Sequence, residues 1–285
     1  MGTSSSYGGP KGTSALLPPW AQPNGDAPAG SDGDPNQPDD NGADQTNGNS
    51  PKPVEPTTPV QTNFRSAKGS MTRFAGSGDG RAARRAARAY VRSRGGARGA
   101  ATAATAGRAA TGRLAGFLAN VVNAGAETAA RMVGLARVIG ENADTAFAAI
   151  ANALAPSGAT LEEAAARKAV NEALCILYTK YDLEDGDLGK LDALDADTVA
   201  EALRASVVGY VYHRWLEELG RRIEQRAVTP HEAVQLEKQI RDLVTEAVKL
   251  DFSTVDPLKV DWNGAEGRRI VERIYQEAYA VLEAS

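Results

Sequence analysis

The 285-residue sequence has few of the residues from which most catalytic and metal sites are built, since it holds 1 Cys and 2 His. A single cysteine excludes a disulfide framework and a cysteine-rich zinc site, and two histidines argue against a histidine-based metal centre. No apolar run reaches the roughly 18 residues that a membrane span needs, and no signal-peptide pattern opens the chain. We therefore expect a soluble, cytoplasmic protein with no metal site, no cofactor of its own and no membrane contact.

Proline is scarce over most of the chain as well. Of the 14 prolines, 11 precede Asn63, and the others are Pro156, Pro230 and Pro257. Residues 22–61 consist almost entirely of Asp, Asn, Gly, Pro, Gln, Ser and Thr, with no aromatic residue. So little apolar surface does not offset the cost of ordering a backbone, about 1–2 kcal/mol per residue. The composition predicts a disordered linker over residues 22–63.

Residues 1–21 differ from this linker because they contain a short apolar cluster. Apolar anchors on a flexible tether are typical of a docking peptide, which finds something to pack against only in its partner. A frayed terminus without a role is the alternative. Gly2 follows the first Met and would present a bare amine after Met removal, so modification by a partner enzyme is a further hypothesis. The docking anchors are predicted to be Tyr7, Leu16, Leu17, Pro18 and Trp20.

Charge divides the chain into three blocks that the net charge of −4 conceals. Residues 1–63 hold two Lys/Arg against seven Asp/Glu, a net charge of −5. Residues 64–140 hold 14 against two, a net charge of +12, and residues 141–285 hold 16 against 27, a net charge of −11. The pattern indicates that the basic middle either folds back on the acidic part or meets an acidic partner.

Apolar residues after Asn63 recur at three- and four-residue steps, which predicts an all-α domain with many helices. We expect a basic Ala/Arg-rich helical segment over residues 64–155 and an acidic helical bundle over 156–285. The motifs Thr160–Glu163 and Thr229–Glu232 are typical capping boxes and predict that helices begin there. Gly95 and Gly96 are expected to end a helix that begins near Arg81.

Seven arginines within 18 residues form the most conspicuous candidate interface. Arginine at this density can neutralise phosphates, so binding to nucleic acid is one hypothesis. Charge complementarity with the acidic third block or with an acidic partner protein is the equally weighted alternative. The residues concerned are Arg81, Arg84, Arg85, Arg88, Arg92, Arg94 and Arg98.

The remaining polar residues do not form a recognisable catalytic set, so we expect no enzymatic activity. Asp182–Asp187 lacks the spacing of a calcium loop and is expected to be a turn between helices. His213 and His231 are expected to be ordinary surface or core histidines, and pairing with Glu217 or Glu232 is the less favoured alternative. Cys175 lies within an apolar pattern and is expected to be a buried, inert thiol.

Several motifs together resemble the QatB family of the bacterial Qat antiphage defence systems. These are Met1–Pro10, Leu16–Ala21, Phe64–Ala67, Thr72–Ala75 and Ala89–Arg92 before Gly95-Gly96. Their order extends over roughly the first 115 residues, whereas the helical remainder is compatible with the family but carries no motif of its own.

The resemblance implies a non-catalytic component that acts with a QueC-like enzyme (the QatC-type component), an ATPase and a TatD-like nuclease. It also implies that the QueC-like enzyme attaches a deazaguanine group to Gly2, with Thr3, Ser4 and Ser5 entering the enzyme's pocket. Leu16, Leu17, Pro18 and Trp20 would anchor the arm on its surface. Any ATP and zinc would belong to that partner.

Overall fold

The computed structural model describes residues 64–139, 141–155, 157–183, 187–226, 229–248 and 255–285. Over these residues every regular element is helical, which confirms the predicted all-α class for this part of the chain. The predicted disordered arm, residues 1–63, lies outside the described residues. The helices are α1 (Arg65–Ser77), α2 (Gly80–Ser93), α3 (Gly96–Ala103), α4 (Thr105–Ala124), α5 (Ala126–Met132), α6 (Ala143–Leu154), α7 (Leu161–Lys180), α8 (Ala196–Leu219), α9 (Arg221–Glu224), α10 (Pro230–Ala247) and α11 (Ala265–Ala284), with 3₁₀ turns at Ala136–Val138 and Leu188–Ala193.

Both predicted capping boxes are present. The Thr160 hydroxyl accepts a hydrogen bond from the Glu163 amide at 3.1 Å, and the Glu163 carboxylate accepts one from the Thr160 amide at 3.2 Å. Thr229 and Glu232 make the same reciprocal pair at the start of α10. Each box satisfies two amides that a helix start would otherwise leave without partners, so α7 and α10 begin where the sequence predicts.

Helix α1 lies within the predicted helical segment, but the sequence pattern did not predict it as a separate helix. Its buried face is formed by Ala67, Met71 and Phe74, which pack against the Tyr90 face of α2. Glycines and serines interrupt this stripe in the sequence and favour other conformations, so the helical period is weak. Gly78, with φ of 65°, ends α1 and allows the chain to turn directly into α2.

Helix α4 lies at the centre of the domain and contacts α5, α6, α7, α8 and α11. A Cβ atom on Gly107 would lie 2.6 Å from the Tyr210 ring, so only glycine permits the observed approach of α4 to α8. Buried hydroxyls add a polar link, because Thr111 Oγ1 lies 3.0 Å from both Ser206 Oγ and Tyr275 OH. Residues from both the 64–155 and the 156–285 segments therefore contribute to one hydrophobic core.

Carboxylates from the acidic part of the chain cap three helices of the basic part. The N-cap residues of helices α3, α4 and α5 are Gly95, Ala104 and Gly125, and none of them provides a side-chain cap. Glu283 accepts the Ala97 amide at 2.9 Å, Glu162 accepts the Ala106 amide at 2.7 Å, and Asp192 accepts the Ala126 amide at 2.7 Å. These bonds satisfy orphan donors at positively polarised helix ends.

Replacing Glu162 tests this capping across the two segments. Glu162→Ala removes the acceptor for α4, so we expect the free energy of unfolding to fall by about 1–2 kcal/mol in urea titrations. Glu266→Ala is the matched control, because Glu266 is an exposed carboxylate in the first turn of α11, its own helix. The control should change the free energy of unfolding by less than about 0.5 kcal/mol. Equal losses in the two variants would contradict the assigned role of Glu162.

Candidate functional site

The predicted docking and modification residues cannot be placed in the fold, because they all lie outside the described residues. Their assignments therefore stay predictions. They are Gly2, Thr3, Ser4, Ser5, Tyr7, Leu16, Leu17, Pro18 and Trp20.

The seven arginines of the predicted basic interface do not share one surface. Arg81, Arg84 and Arg98 are exposed, whereas Arg94 is largely enclosed between helices. The other three, Arg85, Arg88 and Arg92, line a groove between α1 and α2. A helix that presents arginines on several sides distributes them among different neighbours, so the run of charge in the sequence is not a continuous stripe in space.

Arg94 connects α2 to α8. Its guanidinium pairs with Glu218, and the two side chains are only 14% and 12% exposed. The same guanidinium lies 5.5 Å from the ring centroid of Phe64 and 5.4 Å from that of Tyr90. Arg214 also bonds to Glu218, at 2.8 Å, so one carboxylate holds two arginines. Arg94 thus links helices inside the fold and pairs with a carboxylate of the acidic block.

Burial of this cluster shifts the pKa values of its members. Burial raises the pKa of the Tyr90 hydroxyl well above its usual value, and nearby Tyr279 and Glu218 raise it further. Burial also raises the pKa of Glu217, against the lowering effect of Lys168 and Arg214. Both shifts arise because burial disfavours the charged form of a side chain. The charged groups of this cluster therefore interact with one another inside the fold.

The groove between α1 and α2 is a concave surface with a basic lining. Its volume is about 470 Å³, and its lining contains four arginines and no carboxylate. Arg73 comes from α1, opposite the arginines of α2. The sequence identified Arg73 only as part of a short motif, and its position became clear because α1 forms a helix beside α2.

A second polar cluster joins α7, α8 and α10 through Glu172. Arg241 donates to both carboxylate oxygens, at 2.9 and 2.7 Å, and His213 Nε2 donates to Oε1 at 2.8 Å. Arg241 also lies over the Tyr212 ring, 5.1 Å from its centroid. Burial alone would raise the pKa of Glu172, but hydrogen bonds from His213 and Arg241 lower it to about 2. The carboxylate is therefore ionised at neutral pH.

This cluster differs from the histidine–carboxylate pairs that the sequence offers as an alternative. The sequence offers Glu217, four residues after His213, as a partner on the same helix, whereas the bonded carboxylate comes from α7. His231 is exposed at the start of α10. Only the packing of α7 on α8 brings residues 172 and 213 together, and no local pattern reports that contact.

The expectation of a buried Cys175 is wrong, because its side chain is exposed. Leu174 and Leu177 of α7 face the core, and each residue of a helix is rotated by about 100° from the one before it. Cys175 accordingly turns outward, into an apolar groove that Phe147 and Tyr178 also line.

Within the described residues, no three His, Cys, Asp or Glu side chains are grouped to hold a metal ion. No helix of that part of the chain is long and apolar enough to cross a membrane. Residues 184–186 of the predicted acidic turn lie outside the described residues.

Removing the charge of Glu172 tests its role as a link between three helices. At pH 7 we expect Glu172→Gln to lower the free energy of unfolding by about 1–3 kcal/mol, because two charge-assisted partners lose their acceptor charge. The pKa of Glu172 is lowered in the folded protein from 4.5 to about 2, so its stabilisation is present above pH 4.5 and is lost as the pH falls towards 2. The difference between wild type and variant in urea titrations should therefore narrow over that window.

Glu201→Gln is the matched control, because Glu201 makes an exposed ion pair with Lys180. It should cost less than about 1 kcal/mol at pH 7. The difference in the free energy of unfolding between wild type and Glu172→Gln should change with pH. If it stays constant between pH 5 and pH 2.5, the role of ionised Glu172 as a link between helices is contradicted.

Comparison with known proteins finds one family match. A family model described as QatB, Qat anti-phage system associated protein QatB, matches residues 95–282. No curated protein matches the chain, and no solved structure does. The family match covers α3 to α11. The resemblance seen in the sequence rests instead on motifs before about residue 115, and the helices after that point carry no family motif of their own. The two stretches overlap only near α3 and α4 and name the same family, so the chain belongs to the QatB family of Qat anti-phage system associated proteins.

Proposed function

We propose that this component of the Qat anti-phage system is a cytoplasmic, non-catalytic protein that serves a QueC-like enzyme as partner and as N-terminal substrate. The observation that carries the proposal is the family match over residues 95–282, because it makes the chain an associated protein of a multi-component system. A protein of that kind works by contact with the other components. The ATPase and the TatD-like nuclease of the system are proposed as further partners.

The proposed substrate is the segment 1–21, with Gly2 as the modified residue. A glycine amine without a side chain beside it can enter a narrow pocket. There the amine nitrogen would attack a carboxyl carbon of the deazaguanine that ATP has activated as an adenylate, forming an amide bond as AMP and one proton leave. The small residues Thr3, Ser4 and Ser5 would follow it into the pocket. ATP and zinc would be held by the partner enzyme and not by this chain.

The apolar cluster of the arm supplies the proposed affinity. Leu16, Leu17, Pro18 and Trp20 would bury apolar surface on the partner, and Tyr7 would contact it nearer the tip. The linker over residues 22–63 would give the tip a long reach from the helical body, about 35 Å as a root-mean-square distance for a flexible chain of this length. Contacts of the helical body would then add to those of the arm, with a gain from the raised effective concentration.

Nucleic-acid binding through Arg81–Arg98 is the second candidate function. The observation that favours it is the groove between α1 and α2, where three of the seven arginines remain together and face no carboxylate in the lining. Arg94 does not contribute, since it is paired with Glu218 inside the fold.

Intact mass measurement tests the proposed modification. After co-expression with the QueC-like enzyme, the wild-type chain without its first Met should carry one added deazaguanine group, and fragmentation should place the added mass on Gly2. Gly2→Ala should abolish the addition, because a methyl group at the reacting residue obstructs the pocket. Gly9→Ala is the matched control and should be modified as wild type is.

Two results would count against the modification. One is an unmodified wild-type chain after co-expression with an active partner enzyme. The other is equal modification of Gly2→Ala and wild type, which would move the acceptor to another residue.

A further inference from the structure

The arginines of the groove between α1 and α2 have few opposing charges. Arg85 Nη2 lies 3.9 Å from Asp79, and Arg92 Nε lies 3.9 Å from Glu283, both beyond hydrogen-bond distance. These two carboxylates are already engaged, since Asp79 accepts the Arg81 amide at 3.0 Å and Glu283 accepts the Ala97 amide at 2.9 Å. The positive charge of the groove is therefore only partly compensated from within the protein.

The other two arginines of the groove contact a helix end and a hydroxyl group. Arg88 donates to main-chain oxygens of Ala284 and Ser285 and is held at the end of α11. Arg73 donates to the hydroxyl of Ser70 at 3.5 Å, the longest of these contacts. A ligand that carries several negative charges would therefore replace weak contacts with charge-assisted ones.

The spacing of the arginines suits a chain of charges. Arg85, Arg88 and Arg92 lie on one face of α2, with axial separations of about 4.5 and 6 Å for a rise of 1.5 Å per residue. Arg73 faces them from α1, so a ligand in the groove meets guanidinium groups on both sides. The hydroxyls of Ser66 and Ser93 are further polar groups in the lining.

The groove has no exposed aromatic ring on which a base could stack. The nearby rings of Phe74 and Tyr90 are buried in the core, 0% and 2% exposed. Proteins that hold single strands through their bases combine basic grooves with such rings. The contact available here is with phosphates alone.

We propose that the groove between α1 and α2 is a binding site for a phosphate chain, supplied by a single-stranded nucleic acid backbone or by inorganic polyphosphate. The site binds through charge and guanidinium geometry and does not read base sequence. This inference deepens the second candidate function and is independent of the modification of Gly2. The proposed site is smaller than the interface predicted from the sequence. It keeps Arg85, Arg88 and Arg92 of the seven arginines and adds Arg73 from α1.

Fluorescence anisotropy with the full chain tests the site. The probes are labelled 20-nucleotide oligothymidylate and oligodeoxyadenylate, measured from 50 to 300 mM salt. The groove variant Arg73→Gln/Arg92→Gln should weaken binding about tenfold or more at low salt, and should lower the slope of log K against log salt by about 1.4. Arg88 is left unchanged because it bonds to the end of α11.

The matched control is Arg84→Gln/Arg98→Gln, which removes the same charge from exposed positions outside the groove. It should bind within about threefold of wild type, since distant surface charges are screened at these salt concentrations. Equal weakening by both variants would overturn the groove while leaving nucleic-acid binding in place. No binding by wild type at 50 mM salt would overturn both, and neither result affects the mass test of Gly2.

Competition with unlabelled polyphosphate distinguishes the two sources of phosphate. Displacement at an equal or lower phosphate concentration supports a phosphate chain and favours polyphosphate as the ligand, whereas displacement only at higher concentrations favours the nucleic acid backbone. Failure to displace, or a clear preference for one oligonucleotide, would contradict a site that recognises phosphates alone.

Hydrogen exchange of the wild-type protein tests the site without any variant. The oligonucleotide should slow exchange of the amides in α1 and α2, and protection elsewhere would overturn the site.

Discussion

The unsatisfied amides at helix starts are the constraint on which this fold depends. The N-cap residues of helices α3, α4 and α5 are glycine or alanine, and residues 64–140 contain only Asp79 and Glu127 as acids. Their caps come from Glu283, Glu162 and Asp192, which are distant in sequence. Because buried amides without partners are costly, the alanine-rich helices are complete only when the acidic half is packed against them. Charge complementarity and capping therefore bind the two halves into one domain.

This arrangement also determines which arginines are available for other partners. Arg94 is enclosed with Glu218 and Arg214, where each charge has its partner, and Arg108 pairs with Glu272 of α11 at 3.5 Å. The groove between α1 and α2 lies beside this region but its lining receives no carboxylate. Ion pairs between helices thus oppose part of the +12 and −11 charges, whereas Arg85 and Arg92 of the groove have only long contacts, at 3.9 Å, to Asp79 and Glu283.

The functional proposals follow from two different parts of the chain. Family membership rests on residues 95–282, the part that forms α3 to α11. The proposed substrate, Gly2, and the groove with Arg73 both precede that matched stretch. Helices α3 to α11 are therefore the part that identifies the family, while the chemistry proposed for this protein lies in the arm and in helices α1 and α2 before them.

The sequence by itself determined the all-α class, the starts of α7 and α10, the end of α2 and the division of charge, because these depend on neighbouring residues. Capping boxes, glycine punctuation and helical period act over one or two turns. The tertiary structure alone decided that Glu172 partners His213, that Cys175 is exposed, that Arg94 is enclosed and that Arg73 joins a groove. Each of these depends on which faces of two helices meet, and that choice is made by the packing of a whole core of small and large side chains, which no short stretch of sequence contains.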